Sequence, residues 1–320
     1  MKAIVVREFG DPGVLRVEEV EIPRPAVGQA LVRIHAAGVN PVDTYLRTGN
    51  HAHAPQLPYT PGKDAAGTVE AIGEGVERFN VGDRVYTAGS LTGTYAEYSV
   101  CEEKHLGLLP DNVTFEQGAG IWTPSATSYR ALFQKAGAKA GESVLVHGAS
   151  GGVGLAAVQW AKRAGLTVIG TASSLEGKEI VAANRADAVF DHSDDGHFAA
   201  VNDFTGGRGV DIIVEMLANV NLERDFECLA MFGRIVIVGN RGSIQFTPRL
   251  AMTKDATIYG MSLFNAPQPL LDEIHPAIFD GLAAGQLSPV VSHTFPLDDA
   301  PEAHRQIMEN KALGKIILVV

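Results

Sequence analysis

Residues 144–154 read VLVHGASGGVG, and this stretch decides the fold. Strand-type residues Val144, Leu145, Val146 and His147 run into a turn with glycines at 148, 151, 152 and 154, and the helical run LAAVQWAKRAG follows at once. Gly148, Gly151 and Gly154 have the G-x-x-G-x-x-G spacing of a dinucleotide-binding turn. One glycine relieves the turn, one lets backbone approach a diphosphate, and one lets the helix pack close on the strand. The helix-start N–H groups then face the phosphates, with Ser150 as an added donor. A glycine-rich turn alone is a weak signal. Its weight here comes from the alternation of strand and helix that follows.

Outward from that turn, 166–172 (LTVIGTA) reads as a second strand and 176–184 as a helix. Residues 188–190 are short and apolar, 210–215 (VDIIVE) form a buried strand, 222–230 a helix, and 233–238 (GRIVIV) another strand. Apolar β-branched runs alternating with helices predict a parallel sheet covered on both faces, a doubly wound α/β domain. The tip of its second strand bears on cofactor choice. NAD sites place a carboxylate there for the ribose 2′-hydroxyl, whereas a neutral tip with a nearby cation suits a 2′-phosphate. This tip reads Thr171-Ala172-Ser173-Ser174 with Lys178 beyond, which favours NADPH, although Glu176 and Glu179 beside Lys178 blunt the positive field.

The chain of 320 residues, 46% hydrophobic, is long enough for two domains with a core in each. No apolar run approaches the ~18 residues of a membrane span, and the N-terminal MKAIVVREFG reads as a strand, not a signal peptide. Cys101 and Cys228 are its two cysteines, too few for a disulfide framework and consistent with a reducing cytoplasmic setting. A formal net charge of −11 opposes long-range attraction to nucleic acid or an anionic membrane.

The first 120 residues have a different texture. Prolines and glycines punctuate short alternating strands at 15–20, 29–37, 67–72, 84–87 and 95–100, the pattern of an antiparallel, barrel-like β domain. Residues 115–135 turn helical and mark the passage into the nucleotide domain. At the far end, 296–311 reads as a capped helix and 316–320 (IILVV) as a terminal strand that returns to the β domain.

The order AAGVNPVDTYLRTG (36–49), LPYTPGKDAAG (57–67), GDRVY (82–86), GGVG (151–154), EMLANVNL (215–222) and AHRQIMENKALGKIIL (303–318) resembles the medium-chain dehydrogenase/reductase superfamily. Within it, the resemblance is to the NADPH-dependent quinone oxidoreductases of the zeta-crystallin type. It covers nearly the whole chain. It implies a GroES-like β-barrel catalytic domain from residues 1–124 and 267–320, and a Rossmann domain binding NADPH from 125–266. It also implies Asn40, Tyr45 and Tyr59 as catalytic or substrate-contacting residues, with Thr127 on the nicotinamide side and Tyr45 shared between substrate and cofactor. Ser150, Gly151, Gly152 and Val153 would meet the diphosphate, and Ser173, Lys178 and His192 the adenosine end. Asn221 would lie near the ribose, with Val238, Gly239, Asn240, Arg241, Ser262, Leu263 and Phe264 at the nicotinamide half. His197 stands where the family often has a tyrosine at the 2′-phosphate ribose. Lys63 replaces a small hydroxyl residue, and either pairs with Asp64 or adds positive charge.

Zinc is tested by its ligands. Catalytic zinc needs three protein ligands around an open position, and structural zinc about four cysteines. Where the zinc enzymes of the superfamily carry a cysteine and a Gly-His-Glu triplet, this chain reads Val39-Asn40-Pro41 and Gly62-Lys63-Asp64, so no metal is expected. Histidines 51 and 53 read as surface residues of a polar loop. A quinone is electrophilic enough to take hydride with hydrogen-bond donors alone. Two alternatives stand beside quinone reduction: reduction of α,β-unsaturated aldehydes or ketones by NADPH, and a crystallin-like structural or RNA-binding role. The apolar stretch 257–264 reads as a sheet-edge strand open to a twofold partner, predicting a homodimer or homotetramer.

Overall fold

The computed structural model describes residues 1–309 and 313–320, which divide into two units: Met1–Thr123 with His275–Val320, and Pro124–Ile274. The sequence placed the return to the first unit at 267. The structure places it at 275, because the segment before it stays with the second unit: Gln134 Nε2 donates to the Leu270 carbonyl at 2.8 Å.

In the first unit β1 (Lys2–Val5) pairs antiparallel with β2 (Arg16–Glu19). A larger sheet is built on β3 (Gln29–Val39), β4 (Asp64–Ile72), β5 (Arg84–Ala88), β6 (Tyr98–Glu102) and β7 (Leu106–Leu108). Strands β14 (Val291–Pro296) and β15 (Lys315–Val319) complete it, in the order β14-β15-β3-β4-β5-β7. β3 is long enough to serve two partners along one edge: Gln29–Arg33 pair with β6, and Ala36–Val39 with β15. The pairing is antiparallel except between β14 and β15, which run parallel. Helices α1 (Pro41–Arg47), α2 (Phe115–Ala119), α10 (Ile274–Ala283) and α11 (Ala300–Glu309) flank these strands in the chain. The helix expected over 296–311 begins with a 3-10 turn at Leu297–Asp299, and its last residues, Asn310 and Lys311, lie outside the described residues.

The second unit has a parallel sheet ordered β10-β9-β8-β11-β12-β13. Its strands are β8 (Ser143–Val146), β9 (Thr167–Thr171), β10 (Ala188–Phe190), β11 (Val210–Glu215), β12 (Leu229–Ile237) and β13 (Thr257–Gly260). α4 (Gly152–Arg163), α5 (Leu175–Ala183), α6 (His197–Phe204), α7 (Ala218–Asn221), α8 (Pro248–Lys254) and α9 (Gln268–Asp272) connect them. The helical stretch expected over 115–135 is three pieces: α2, α3 (Trp122–Tyr129) and a π turn at Arg130–Lys135. The helix expected over 222–230 is also replaced. The chain makes α7 and a 3-10 turn at Arg224–Glu227, and Leu229 already pairs with Val210 at the head of β12. A bulge with Phe232 at φ 59° then sets the register with β11. The strand expected over 257–264 ends at Gly260, with a 3-10 turn at Leu263–Asn265.

Candidate active site

In the first unit the sequence Asn40-Pro41 caps a helix. Asn40 has extended backbone, Pro41 occupies the first helical position, and Asp43 Oδ2 accepts from the Asn40 N–H at 2.8 Å. This cap aims α1, which carries Tyr45 half-buried. No described residue hydrogen-bonds the Tyr45 hydroxyl.

Beneath the cap lies a buried polar network. Asn40 Nδ2 donates to Asp64 Oδ2 at 3.1 Å, while Asn40 Oδ1 accepts from Lys315 Nζ. Thr123 completes the cradle: its hydroxyl donates to Asp64 Oδ1 at 2.7 Å and its backbone N–H to Oδ2 at 3.1 Å. Lys315 Nζ stands 3.6 Å from Asp64 Oδ2, and burial pulls its ammonium below the ordinary lysine range against the pull of Asp64 and Asp43. Lys315 is thus a buried cation set against Asp64, and the Asp43 and Asp64 charges also act on the Lys63 ammonium. Each end of the Asn40 amide makes one hydrogen bond inside this unit, which fixes its orientation and leaves one Nδ2 N–H beyond the one given to Asp64.

Asp43 extends the network. Tyr95 donates to it at 3.3 Å and also lies 3.2 Å from His304 Nε2. Burial, more than any neighbour, raises the Asp43 carboxyl to about 6 and drops His304 to about 3. Tyr59 has its hydroxyl buried with no hydrogen-bond partner, and burial followed by the Asp43 charge pushes it up to about 12. It stays a neutral phenol at any working pH.

In the second unit the glycine turn has the shape its sequence implies. Gly148 sits at φ +56°, a left-handed conformation open to glycine, and a Cβ on Gly154 would fall 2.5 Å from the Gly148 carbonyl oxygen. Gly151 caps α4 with extended backbone and no side chain in the way, leaving the first-turn N–H groups of Gly152, Val153 and Gly154 without intrahelical acceptors. Ser150 is nearly buried beside them, and the Val153 carbonyl is fixed by Ser128 Oγ at 2.8 Å. Thr127 is buried on α3. This turn fits a diphosphate.

At the tip of β9, Ser173 is half-buried and Ser174 caps α5 by accepting from Gly177 N–H. His192 is exposed, with Nδ1 3.2 Å from Thr171 Oγ1. Lys178 does not present a bare charge. Its ammonium pairs with Asp191 Oδ2 at 2.9 Å, and Ser193 and Lys178 hold that carboxylate well below the usual range. His197 lies in the interior. Its Nδ1 bonds the Asp194 carbonyl at 2.6 Å, its Nε2 is buried without a partner, and burial lowers its affinity for a proton.

The nicotinamide-side candidates form a laced pair of loops. The Glu215 carbonyl accepts from Val238 and Gly239, Gly239 accepts from Ala218 N–H, and Asn219 Oδ1 accepts from Arg241 N–H at 2.9 Å. Asn221 Nδ2 donates to Glu215 Oε1 at 3.2 Å, and Asn240 Nδ2 to the Gly242 carbonyl at 2.6 Å. Ser262 and Leu263 open the 3-10 turn after β13, with Phe264 38% exposed on it. The sequence reading missed His147, Glu215, Asp225, Asp43 and Lys315. Three of them have a signal in the sequence: His147 directly follows an apolar strand, Glu215 ends one and Lys315 opens one, so all three are polar where a core residue is expected.

Comparison with known proteins extends this. The profile of the family described as Alcohol dehydrogenase GroES-like domain matches residues 26–111, and that of Zinc-binding dehydrogenase matches 152–276. A quinone oxidoreductase from Homo sapiens is 45% identical over 322 residues, spanning 100% of this chain and 98% of the human protein. The crystal structure of Escherichia coli quinone oxidoreductase complexed with NADPH superposes with a TM-score of 0.90 at 29% identity, covering all of both chains. A crystal structure described as an NAD-dependent alcohol dehydrogenase gives 0.93 at 30% identity, again covering all of both chains. With that identity sustained from end to end of a quinone oxidoreductase, the chain belongs to the medium-chain dehydrogenase/reductase superfamily and, within it, to the quinone oxidoreductase family.

Proposed function

We propose that this oxidoreductase reduces quinones with NADPH and uses no metal in doing so. The observation that carries the reading is the donor chemistry around Asn40. Where the zinc enzymes hold their metal, this chain has an amide, Lys63 and Asp64, and the Asp64 oxygens already accept from Asn40 and Thr123 with Lys315 beside them. A buried ammonium in that position repels a divalent cation, and neither a thiolate nor an imidazole is offered.

NADPH, when bound, supplies the hydride. The first-turn N–H groups of α4 at Gly152 and Val153, with Gly151 and Ser150 before them, bind the diphosphate. Ser173, Lys178 and His192 take the adenosine end, and the laced loops at 216–222 and 238–241 take the nicotinamide half. Tyr45 offers its hydroxyl to the substrate oxygen as negative charge develops there, held in place by the Asn40 cap. A hydroquinone anion then takes its remaining proton from water, so no strong acid is required.

We further read the protein as a cytoplasmic homodimer paired through the exposed edge of β13. Light scattering should give twice the chain mass, and Thr257→Lys with Gly260→Lys, both exposed on that edge, should give a monomer; a monomeric parent overturns this reading. The function is tested by following NADPH oxidation with 9,10-phenanthrenequinone against an alkenal, with NADH in parallel. Fast quinone turnover with NADPH, unchanged by a chelator, is expected. Preference for the alkenal would make it a C=C reductase, and chelator-sensitive turnover would restore the metal.

A further inference from the structure

The second unit encloses a cluster that the proposed reaction does not use. His147 directly follows β8, Glu215 ends β11, and Asp225 lies in the turn 224–227; one ligand-type atom of each lies within 4.8 Å of the others. Glu215 and Asp225 are 0% exposed and His147 2%. His147 Nε2 bonds Asp225 Oδ1 at 2.9 Å and lies 3.6 Å from Glu215 Oε2. Glu215 Oε1 accepts from the Leu217 N–H and from Asn221 Nδ2. Two oxygens remain buried without a partner, Glu215 Oε2 and Asp225 Oδ2.

Two carboxylates at this depth cannot both be ionised side by side at modest cost. A divalent cation is one way to neutralise them. However, a 2.9 Å separation between His147 and Asp225 is that of a hydrogen bond, and Glu215 Oε1 already accepts two N–H groups. The two carboxyl groups lie within hydrogen-bonding reach of each other, so one proton held between them would give a buried oxygen a partner and remove one of the charges.

We propose that Glu215 and Asp225 share one proton in the resting protein, and that Glu215, through the two hydrogen bonds it accepts, positions the 216–222 segment for cofactor binding. The second half rests on the reading of Asn221 and residues 238–241 as cofactor-side. Burial pushes both carboxyls well above the ordinary range, in keeping with a retained proton. The groups facing the pair are few. His147 comes from just after β8, β12 sets Ile237 opposite Glu215, and α6 sets His197 edge-on to His147 with ring centroids 6.2 Å apart; the buried Cys228 thiol, its Sγ on the Asp225 carbonyl, is pushed up by burial and then by the Asp225 charge. Arg224, on the same turn as Asp225, points away over the Phe198 ring. Glu215 is thus a positioning residue, acting on the loop and not on substrate.

The test is infrared spectroscopy of the cofactor-free protein, with glutamate and aspartate carbon-13-labelled in turn, at pH 7 in H2O and D2O. One protonated-carboxyl C=O stretch is expected, shifted by D2O and by one or both labels, and bleached as pH is raised past about 8. Its absence at pH 7 overturns the shared proton, as does a tightly held metal whose removal by chelator makes the band appear. This arm needs no substrate or variant. NADPH binding, followed by its fluorescence, tests the second half. Glu215→Ala should weaken binding tenfold or more, and Glu215→Gln, which keeps one acceptor and supplies an N–H towards Asp225, should recover most of that loss. Equal NADPH affinity in Glu215→Ala and the parent overturns the positioning role.

Discussion

Tyr45 and Asn40 divide the work near the α1 cap between a hydroxyl that no described residue binds and an amide bonded at both ends. If Tyr45 donates a hydrogen bond and does not transfer an obligatory proton, Tyr45→Phe should cost about 1–3 kcal/mol of transition-state stabilisation, roughly a five- to hundredfold fall in kcat/KM for quinone. Wild-type kinetics would make Tyr45 a packing residue, and complete inactivity in a folded, NADPH-binding variant would make it a required acid. Lys315 acts differently, through Asn40 and Asp64. Removing its charge takes from buried Asp64 the ammonium that stands 3.6 Å away, so Lys315→Met should lose about 3–5 kcal/mol in urea unfolding. Adding Asp64→Asn to it should recover part of the loss, because the stranded charge goes with it. Additive losses would show that the two residues do not interact.

At the scale of the elements, the turn between β8 and α4 is read from sequence because its constraints are local: a left-handed Gly148 and a Gly154 with no room for a Cβ. The β-branched runs of β8, β9 and β11 are legible for the same reason. The region 222–230 is not, since its course depends on partners remote in sequence. Asp225 turns inward to His147, 78 residues away, and Leu229 must reach Val210. Residue identity shows neither contact. The same holds for Lys178, whose partner Asp191 comes from the end of a neighbouring strand and reduces the positive field inferred from the β9 tip alone. Its ammonium should bind a 2′-phosphate more strongly once that partner is neutralised. Asp191→Asn should therefore raise the ratio of kcat/KM for NADPH over NADH several-fold, and Lys178→Ala should lower it. No change in the ratio in either variant would remove Lys178 from cofactor discrimination.

Over the whole molecule, the buried titratable groups of the two units act on stability in opposite directions. His304 is 1% exposed and its pKa drops from 6.5 to about 3 in the folded protein. Between those values the unfolded chain binds a proton that the folded one does not. The His304 contribution is therefore fully present above pH 6.5 and is lost as pH falls towards 3. Asp43, Glu215 and Asp225 have raised values, so their contribution is present at low pH and is lost as pH rises through about 6 to 8. In the mildly acid range the two effects oppose each other, so the parent's slope is smaller than either would give alone. Removing one of them exposes the other. His304→Gln keeps an N–H donor for the Tyr95 oxygen but cannot be protonated, so between pH 4 and 6.5 its stability should fall with rising pH relative to the parent. The slopes should differ by up to about 1.4 kcal/mol per pH unit, the value for one linked proton. Urea midpoints measured across that interval decide it. Parallel curves for parent and variant would mean that His304 is protonated alike in the folded and unfolded chains, and that its burial carries no linkage.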